Sequence, residues 1–226
     1  MGSMVAGTLR VERESKSLRE MTLDKMRRAI LDQHFKPGDR LVERELCEQL
    51  AVSRSVVREV LRHLEAEGIV EIVPNRGPIV AVLTRSQARQ IYEVRGYLEA
   101  LAARGCAESP DAPAVADLLD AKLQRIAQGY AIKDTALILV ATAEFYERMF
   151  LASGQEIAWD IVSALYMRIT HLRSITIATP GRSTNGPEEM QRIVAAIRAR
   201  DGETAFQASL THVECAKKLA LAEIST

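Results

Sequence analysis

The stretch Val52–Gly68, VSRSVVREVLRHLEAEG, constrains the fold more than any other part of the chain. Ser53 is placed to cap a helix, because its hydroxyl can accept a bond from a free first-turn N–H. Val57, Val60, Leu61 and Leu64 recur at helical spacing and form one apolar face. Arg54, Arg58 and Arg62 recur every four residues on another face, and Gly68 stands where a helix commonly closes. The reading is a short helix packed down on one side and bearing three guanidiniums on the other. Taken alone, such a basic face is simply solvated, so its flanks decide its meaning.

Upstream, Glu43–Leu50 (ERELCEQL) is a second short amphipathic segment with Leu46 and Leu50 on one side, and only Ala51 and Val52 separate it from Ser53. Two helices joined by so short a turn make a helix-turn-helix, whose second helix enters the major groove of DNA. Downstream, Ile69–Val73 and Ile79–Leu83 are β-branched runs separated by the turn Pro74-Asn75-Arg76-Gly77. They predict a hairpin with Arg76 at its tip, a wing beside the helix pair.

These residues resemble the DNA-binding domain of the GntR family of bacterial transcription regulators. The likeness is carried by Pro37-Gly38-Asp39-Arg40-Leu41, Glu43-Arg44-Glu45-Leu46, Val52 to Leu61, Leu64-Glu65-Ala66-Glu67-Gly68-Ile69-Val70 and Asn75-Arg76-Gly77, in the family's order. The resemblance implies that Arg44, Ser53, Arg54, Ser55 and Arg58 stand at DNA. It also implies that Asn75, Arg76 and Gly77 of the wing reach an adjacent groove. The chemistry agrees: Arg54 and Arg58 are one turn apart, and arginine can hold guanine O6 and N7 through two parallel bonds. Arg40 and Arg44 could equally pair with Glu43 and Glu48.

Total charge contributes nothing to this case. Residues 9–82 carry 14 basic and 13 acidic groups, and residues 83–226 carry 16 and 17, so neither part is a cationic body. A single head of so little net charge binds DNA weakly, which predicts a homodimer on a double-stranded operator. No run of eighteen apolar residues exists, the N-terminus shows no charged-then-apolar leader, and three scattered cysteines form no metal spacing or disulfide framework. The expectation is a cytoplasmic protein that does not span a membrane.

Residues 4–16 are polar and read as frayed, Ser17–Gln33 as a first helix with Leu23, Met26, Ile30 and Leu31 inward, and His34 as a loop residue. The domain boundary is expected at a junction near residue 83, giving a winged helix-turn-helix over 9–83 and an all-helical domain over 84–226. Thr84 or Ser86 caps the helix that follows, and no strand signal appears beyond it. Breaks are expected at Ser109-Pro110-Asp111, Gly129, Ser153-Gly154, Thr179-Pro180-Gly181, Asn185-Gly186-Pro187 and Asp201-Gly202. They delimit about six amphipathic helices in an antiparallel bundle, one of them carrying Leu137, Val140, Ala141, Glu144, Phe145, Met149 and Phe150. The expected fold is mainly α.

A small winged domain followed by such a bundle resembles the FadR-type branch of the GntR family, with its FCD effector domain. Glu93, Arg95, Leu98 and Glu99 match the branch's E-x-R-x-x-L-E signature, and Ala195-Ala196-Ile197, Asp201 and Ala205 match its penultimate connection. Many members of the branch hold a divalent metal with an Asp and three His. The corresponding positions here are Thr142, Tyr146, Met190 and His212, of which only His212 is retained. One imidazole, one hydroxyl, one phenol and one thioether do not make a hard-metal or zinc site. No metal and no cofactor are therefore expected. Arg95, Thr142, Tyr146, Met190 and His212 could instead line a pocket for a small carboxylate or other anion. Against this, a lone His in a bundle is often a satisfied core residue, and Arg95 could simply pair with Glu93 or Glu99.

No Gly-rich phosphate loop, nucleophile elbow or Cys–His constellation is present, so no catalytic residue is assigned. Asp117 with Asp120 and Glu188 with Glu189 read as solvated helix faces. The expected function is a ligand-responsive, homodimeric repressor sensing a small anion. Two alternatives stand beside it: a metabolite-binding helical protein with a vestigial DNA head, and a DNA binder that senses nothing.

Overall fold

The computed structural model describes residues 16–31, 34–177 and 179–224. Residues 4–15, Asp32 and Gln33, included in the frayed segment and the first helix above, lie outside the described residues. The chain divides into two compact units, one running to Ala66 and including Val70–Val80, the other formed by Glu67–Ile69 and the chain from Ala81 onward.

In the first unit, helix α1 (Leu18–Leu31) buries Leu23, Met26 and Ile30, and leaves Leu31 only half-buried. Helix α2 (Glu43–Leu50) buries Leu46 and ends at Ala51, whose φ of 53° is left-handed. Helix α3 (Arg54–Ala66) buries the four residues of its apolar face, Val57, Val60, Leu61 and Leu64, and packs against α1 and α2. Ser53 Oγ accepts from Val56 N at 3.4 Å.

Strand β1 (Val70–Val73) pairs antiparallel with β2 (Gly77–Val80), Val73 standing opposite Gly77. The second strand therefore begins at Gly77 and ends at Val80, rather than running from Ile79 to Leu83. The turn explains the early start. Pro74 fixes φ at the first central position, Asn75 supplies a φ of 63° at the second, and Arg76 N closes onto Val73 O at 3.1 Å. Pro78 cannot donate to a ladder, yet its carbonyl accepts from Leu41 N at 2.9 Å. Gly38 N donates to Val80 O and Val80 N to Asp39 O, both at 2.9 Å, with Arg40 bridging to Ile79. The segment Gly38–Leu41, read above only as family text, thus straps the open edge of the wing.

The second unit is all-helical among the described residues. Helix α4 (Arg85–Glu108) opens with a capping box between Thr84 and Gln87, which settles Thr84 as the cap. Helices α5 (Ala112–Ile132), α6 (Thr135–Ala152), α7 (Glu156–Ala164), α8 (Tyr166–Ile177), α9 (Arg182–Arg198) and α10 (Gly202–Glu223) follow. Helix α4 packs along α10, α5 against α6 and α9, and α9 against α10. Among the described residues seven helices stand where about six were expected, and their boundaries differ at three places.

Gly129 does not break α5; the helix ends at Lys133, whose φ is 57°, and Asp134 caps α6 through Leu137 N at 2.9 Å. Gly129 serves packing instead, because a Cβ there would lie 2.7 Å from Ile138 Cγ1 and 3.1 Å from its backbone N. Gly129→Ala should therefore destabilise the bundle by about 1–3 kcal/mol through overpacking, against the gain in helix propensity; a rise in the urea midpoint of the purified variant would sink this reading. Asn185-Gly186-Pro187 also lies inside a helix, α9. A Cβ at Gly186 would meet Arg182 Nε at 3.2 Å, so the glycine makes room for a side chain folded back along its own helix. A break between α7 and α8 at Leu165 carries no Gly or Pro and was not anticipated. On α6 the buried face is Ile138, Leu139, Ala141, Phe145, Tyr146, Met149 and Phe150, whereas Val140 is 49% exposed.

Candidate nucleic-acid interface and ligand cavity

The apolar face of α3 fixes where its other side chains go. With Val57, Val60, Leu61 and Leu64 buried, Arg54, Ser55 and Arg58 are exposed together near the start of the helix, and Arg44 is exposed on α2. Arg54 and Arg44 make no hydrogen bond or ion pair among the described residues. Arg58 does: its Nε stands 3.0 and 2.9 Å from the two carboxylate oxygens of Glu43 on α2. The pairing suggested above for Arg44 with Glu43 thus falls to Arg58. At the wing tip Asn75 and Arg76 are exposed, and Arg76 Nη2 donates to Gly38 O at 3.0 Å. Ser53 Oγ and Ser55 Oγ lie 2.8 Å apart. These are positions and contacts in the free protein. All eight residues assigned to DNA lie on the helix-turn-helix or the wing, and Arg58 and Arg76 each hold a partner within the protein.

The bundle holds a small, partly open cavity of about 40 Å³. Arg95, Thr142, Met190 and His212, taken from the sequence as pocket residues, all line it. Tyr146 is absent from the lining; it is 2% exposed, with Arg95 and Arg173 over its ring at 5.8 and 4.7 Å from the centroid. The cavity's charged groups come from four helices. Arg95 on α4 is 1% exposed and holds Glu99, also on α4, through Nε–Oε1 at 3.0 Å and Nη2–Oε2 at 3.2 Å. Arg173 on α8 shares the same carboxylate at 3.5 Å. On α9, Arg182 Nη1 donates to Glu189 at 2.9 Å, and Nδ1 of His212 on α10 meets the same oxygen at 2.8 Å. Glu189 is therefore an internal acceptor and not the solvated helix charge expected of it.

Among the described residues, Arg95 Nη1, Tyr92 Oη and Tyr146 Oη are buried without a hydrogen-bond partner. A buried unpaired donor is costly, roughly 1–3 kcal/mol and more when charged, and of these three only Arg95 belongs to the cavity wall. Burial works against the charge on Arg95, but the Glu99 carboxylate outweighs it and raises its pKa. For Arg173, burial and then the neighbouring Arg95 charge lower it. Burial drives the phenols of Tyr146 and Tyr92 upward, so both remain O–H donors.

Burial also lowers the pKa of His212, against the pull of Glu189, and lowers that of His171. Both imidazoles are therefore neutral near pH 7. A base whose folded pKa lies below its unfolded value of about 6.5 favours the unfolded state once protons are available. That stability is complete above about pH 6.5 and is lost as pH falls toward the folded value. The melting temperature should fall between pH 6.5 and 5, and less steeply in His212→Gln, which keeps an N–H for Glu189 while His171 still titrates. Equal slopes in the two proteins would show that His212 is not part of the acid response.

This donor set does not fit a divalent metal. Met190 offers a thioether, Thr142 a hydroxyl, Tyr146 a protonated phenol, and three guanidiniums repel a cation. Glu144, on the same helix as Thr142 and Tyr146, adds no carboxylate ligand, because it is held by Lys122 at 2.7 Å and by Arg125. No group of three or more His, Cys, Asp or Glu among the described residues could hold a metal. The thiols supply no such chemistry either: all three cysteines are free, and Cys106 donates to Met149 O at 3.1 Å while burial pushes its pKa up to about 12.

Arg173, Arg182, Glu99 and Glu189 were missed as site residues. For Arg182 a signal existed: it directly follows the Thr179-Pro180-Gly181 break, and Gly186 stands one turn later. For Arg173 there was none, because α8 (YMRITHLRSITI) has polar and apolar residues on every side.

A helix-turn-helix with a strapped wing, followed along the chain by a helical unit with a charged cavity, is the architecture of a DNA-binding regulator. Residues 18–80 match the profile described as bacterial regulatory proteins, gntR family, and residues 90–214 match the FCD domain. The chain belongs to the GntR family of DNA-binding transcription regulators, in its FadR-like branch with an FCD domain. It is 33% identical over 142 residues to the Nta operon transcriptional regulator of Aminobacter aminovorans, across 63% of this chain and 67% of that one. It is 28% identical over 204 residues to the galactonate operon transcriptional repressor of Escherichia coli, across 79% and 86% of the two chains. In fold it resembles a GntR regulator from Rhodococcus sp. RHA1, with TM-score 0.77, 23% identity and coverage of 93% and 100%. It also resembles McbR/YncC of E. coli, with TM-score 0.75, 20% identity and the same coverage. Among the described residues, no helix is long and apolar enough to cross a membrane.

Proposed function

We propose that this regulator is a homodimeric repressor that binds a near-palindromic operator and releases it when a small anion fills the bundle cavity. The observation that carries the sensory part is Arg95, a buried guanidinium on the cavity wall with Nη1 unpartnered. A buried guanidinium N–H left without an acceptor is a natural seat for an anionic oxygen. The DNA-binding part rests on Arg44, Ser53, Arg54, Ser55 and Arg58 of the helix pair and on Asn75, Arg76 and Gly77 of the wing. Thr142, Met190 and His212 complete the effector wall, and Tyr146 underlies it.

Dimerisation is supported by the head's near-zero net charge, since two half-sites recover the affinity that one lacks. Repression is supported by the name of the galactonate operon repressor. Release follows if the anion binds better to a dimer arrangement in which the two heads no longer match two half-sites. The test is anisotropy of labelled promoter DNA with purified protein at fixed salt, with and without millimolar carboxylates, alongside sedimentation equilibrium. Half-site-dependent binding by a dimer, weakened by a carboxylate, is expected. Binding that no carboxylate alters would favour the effector-independent alternative, and no sequence-selective binding would favour the vestigial head.

A further inference from the structure

Arg58 is held before any DNA arrives. Glu43, the first residue of α2, sets both of its carboxylate oxygens on Arg58 Nε, at 3.0 and 2.9 Å. The pair spans the turn of the helix-turn-helix. The Glu43 side chain is 34% exposed and that of Arg58 is 59% exposed, so the guanidinium is the more outward of the two. A guanidinium carries five N–H donors, and a carboxylate commonly takes two of them side by side. Here one donor serves both oxygens, and Nη1 and Nη2 make no hydrogen bond among the described residues. The four donors left over form the end-on fork that matches guanine O6 and N7.

The pair also changes what Arg58 offers to DNA that lacks a guanine at that place. Phosphate attracts any cation, whatever the base sequence. Glu43 offsets the charge of Arg58, so the pair as a unit gains little from phosphate, whereas hydrogen bonds to a base edge remain open to it. Arg54 has no such partner among the described residues and keeps its full charge for base or backbone alike. The start of α2 suits the carboxylate, because first-turn N–H groups favour a negative charge.

We propose that Glu43 is a positioning residue for base reading: it grips Arg58 by Nε, turns the Nη1–Nη2 edge toward a guanine and removes the arginine's general attraction to phosphate. Glu43 touches no base itself. This rests on the operator-binding part of the proposed function.

The test mixes full-length protein at fixed salt with a pool of randomised double-stranded DNA and sequences the duplexes retained. Arg58→Ala first marks the base pair at which a guanine preference is lost. At that base pair Glu43→Ala should weaken the guanine preference by about fivefold or more, and leave the other positions as they were. Its affinity for random-sequence DNA should rise, and the slope of log affinity against log salt should steepen by about one, because Arg58 regains a phosphate. In the Arg58→Ala background Glu43→Ala should alter no preference. Circular dichroism checks the fold, and Glu43→Gln, which keeps the shape and removes the charge, gives a second reading of the preference and the salt slope if the alanine variant does not fold. A guanine preference unmoved at the Arg58 base pair would overturn the proposal, as would an equal loss at every position, which is the mark of a residue that only supports the fold of the head. A wild-type protein that retains no preferred sequence would overturn the operator-binding reading itself.

Discussion

Alanine at both Arg54 and Arg58 is expected to abolish sequence-selective operator binding while leaving the helical content unchanged. Each bidentate arginine–guanine contact supplies about 1–3 kcal/mol of discrimination, so losing two weakens the cognate complex by roughly 30-fold to 10⁴-fold. Neither side chain contributes to the core, whose α3 members are Val57, Val60, Leu61 and Leu64. The two single variants should differ. Arg54→Ala removes a free guanidinium, whereas Arg58→Ala also strips Glu43 of its partner and leaves that carboxylate facing phosphate. Arg58→Ala should therefore be the more damaging of the two. Anisotropy titrations of cognate and scrambled DNA at one salt concentration decide it, and a double variant that still prefers cognate DNA at wild-type affinity would show that α3 does not read the bases.

The second large effect is on stability. Arg95→Met should destabilise the bundle by about 3–5 kcal/mol, because it leaves the fully buried Glu99 carboxylate without its bidentate partner. Arg173 remains 3.5 Å from Glu99, which places the expectation at the lower end of that range. The paired change Arg95→Met with Glu99→Met should recover most of the loss, because a buried ion pair exchanged for apolar side chains of similar size is often neutral. Urea unfolding followed at Trp159 isolates the bundle: it is the chain's one tryptophan, and its ring centroid lies 5.6 Å from that of Phe150. A loss below about 1 kcal/mol in Arg95→Met would mean that the pair is hydrated in solution and not buried as described.

The two units were legible in the sequence to different depths. In the head, the periodicity of Val57, Val60, Leu61 and Leu64 determined which face was buried, and that determined where Arg54 and Arg58 point. Local pattern and tertiary contact agreed there. In the bundle, local punctuation misled wherever a residue type had a second use. Gly129 and Gly186 look like helix ends, but each lacks a Cβ because something lies against it, Ile138 in one case and Arg182 in the other. Leu165 ends a helix with no punctuating residue at all. The cavity was half legible: Thr142, Met190 and His212 came from register with the family's metal positions, as did Tyr146, which does not line it, and Arg95 came from the branch signature, while Arg173 and Arg182 arrive from α8 and α9 through packing that no single segment encodes.

The strap on the wing has an evolutionary consequence. Gly38 and Leu41 are tied to Val80 and Pro78 by backbone hydrogen bonds, and the Gly38 carbonyl also holds Arg76. Main-chain bonds tolerate most changes of side chain but no change of spacing. Apart from Gly38, held at a φ of 85°, and the buried Leu41, the segment joining α1 to α2 should therefore drift in sequence among descendants of this chain, yet resist insertion or deletion between residues 38 and 41. An extra residue there would slip the strap along the hairpin and carry the error to the wing tip, so a lesion far from the recognition helix would be felt at the operator.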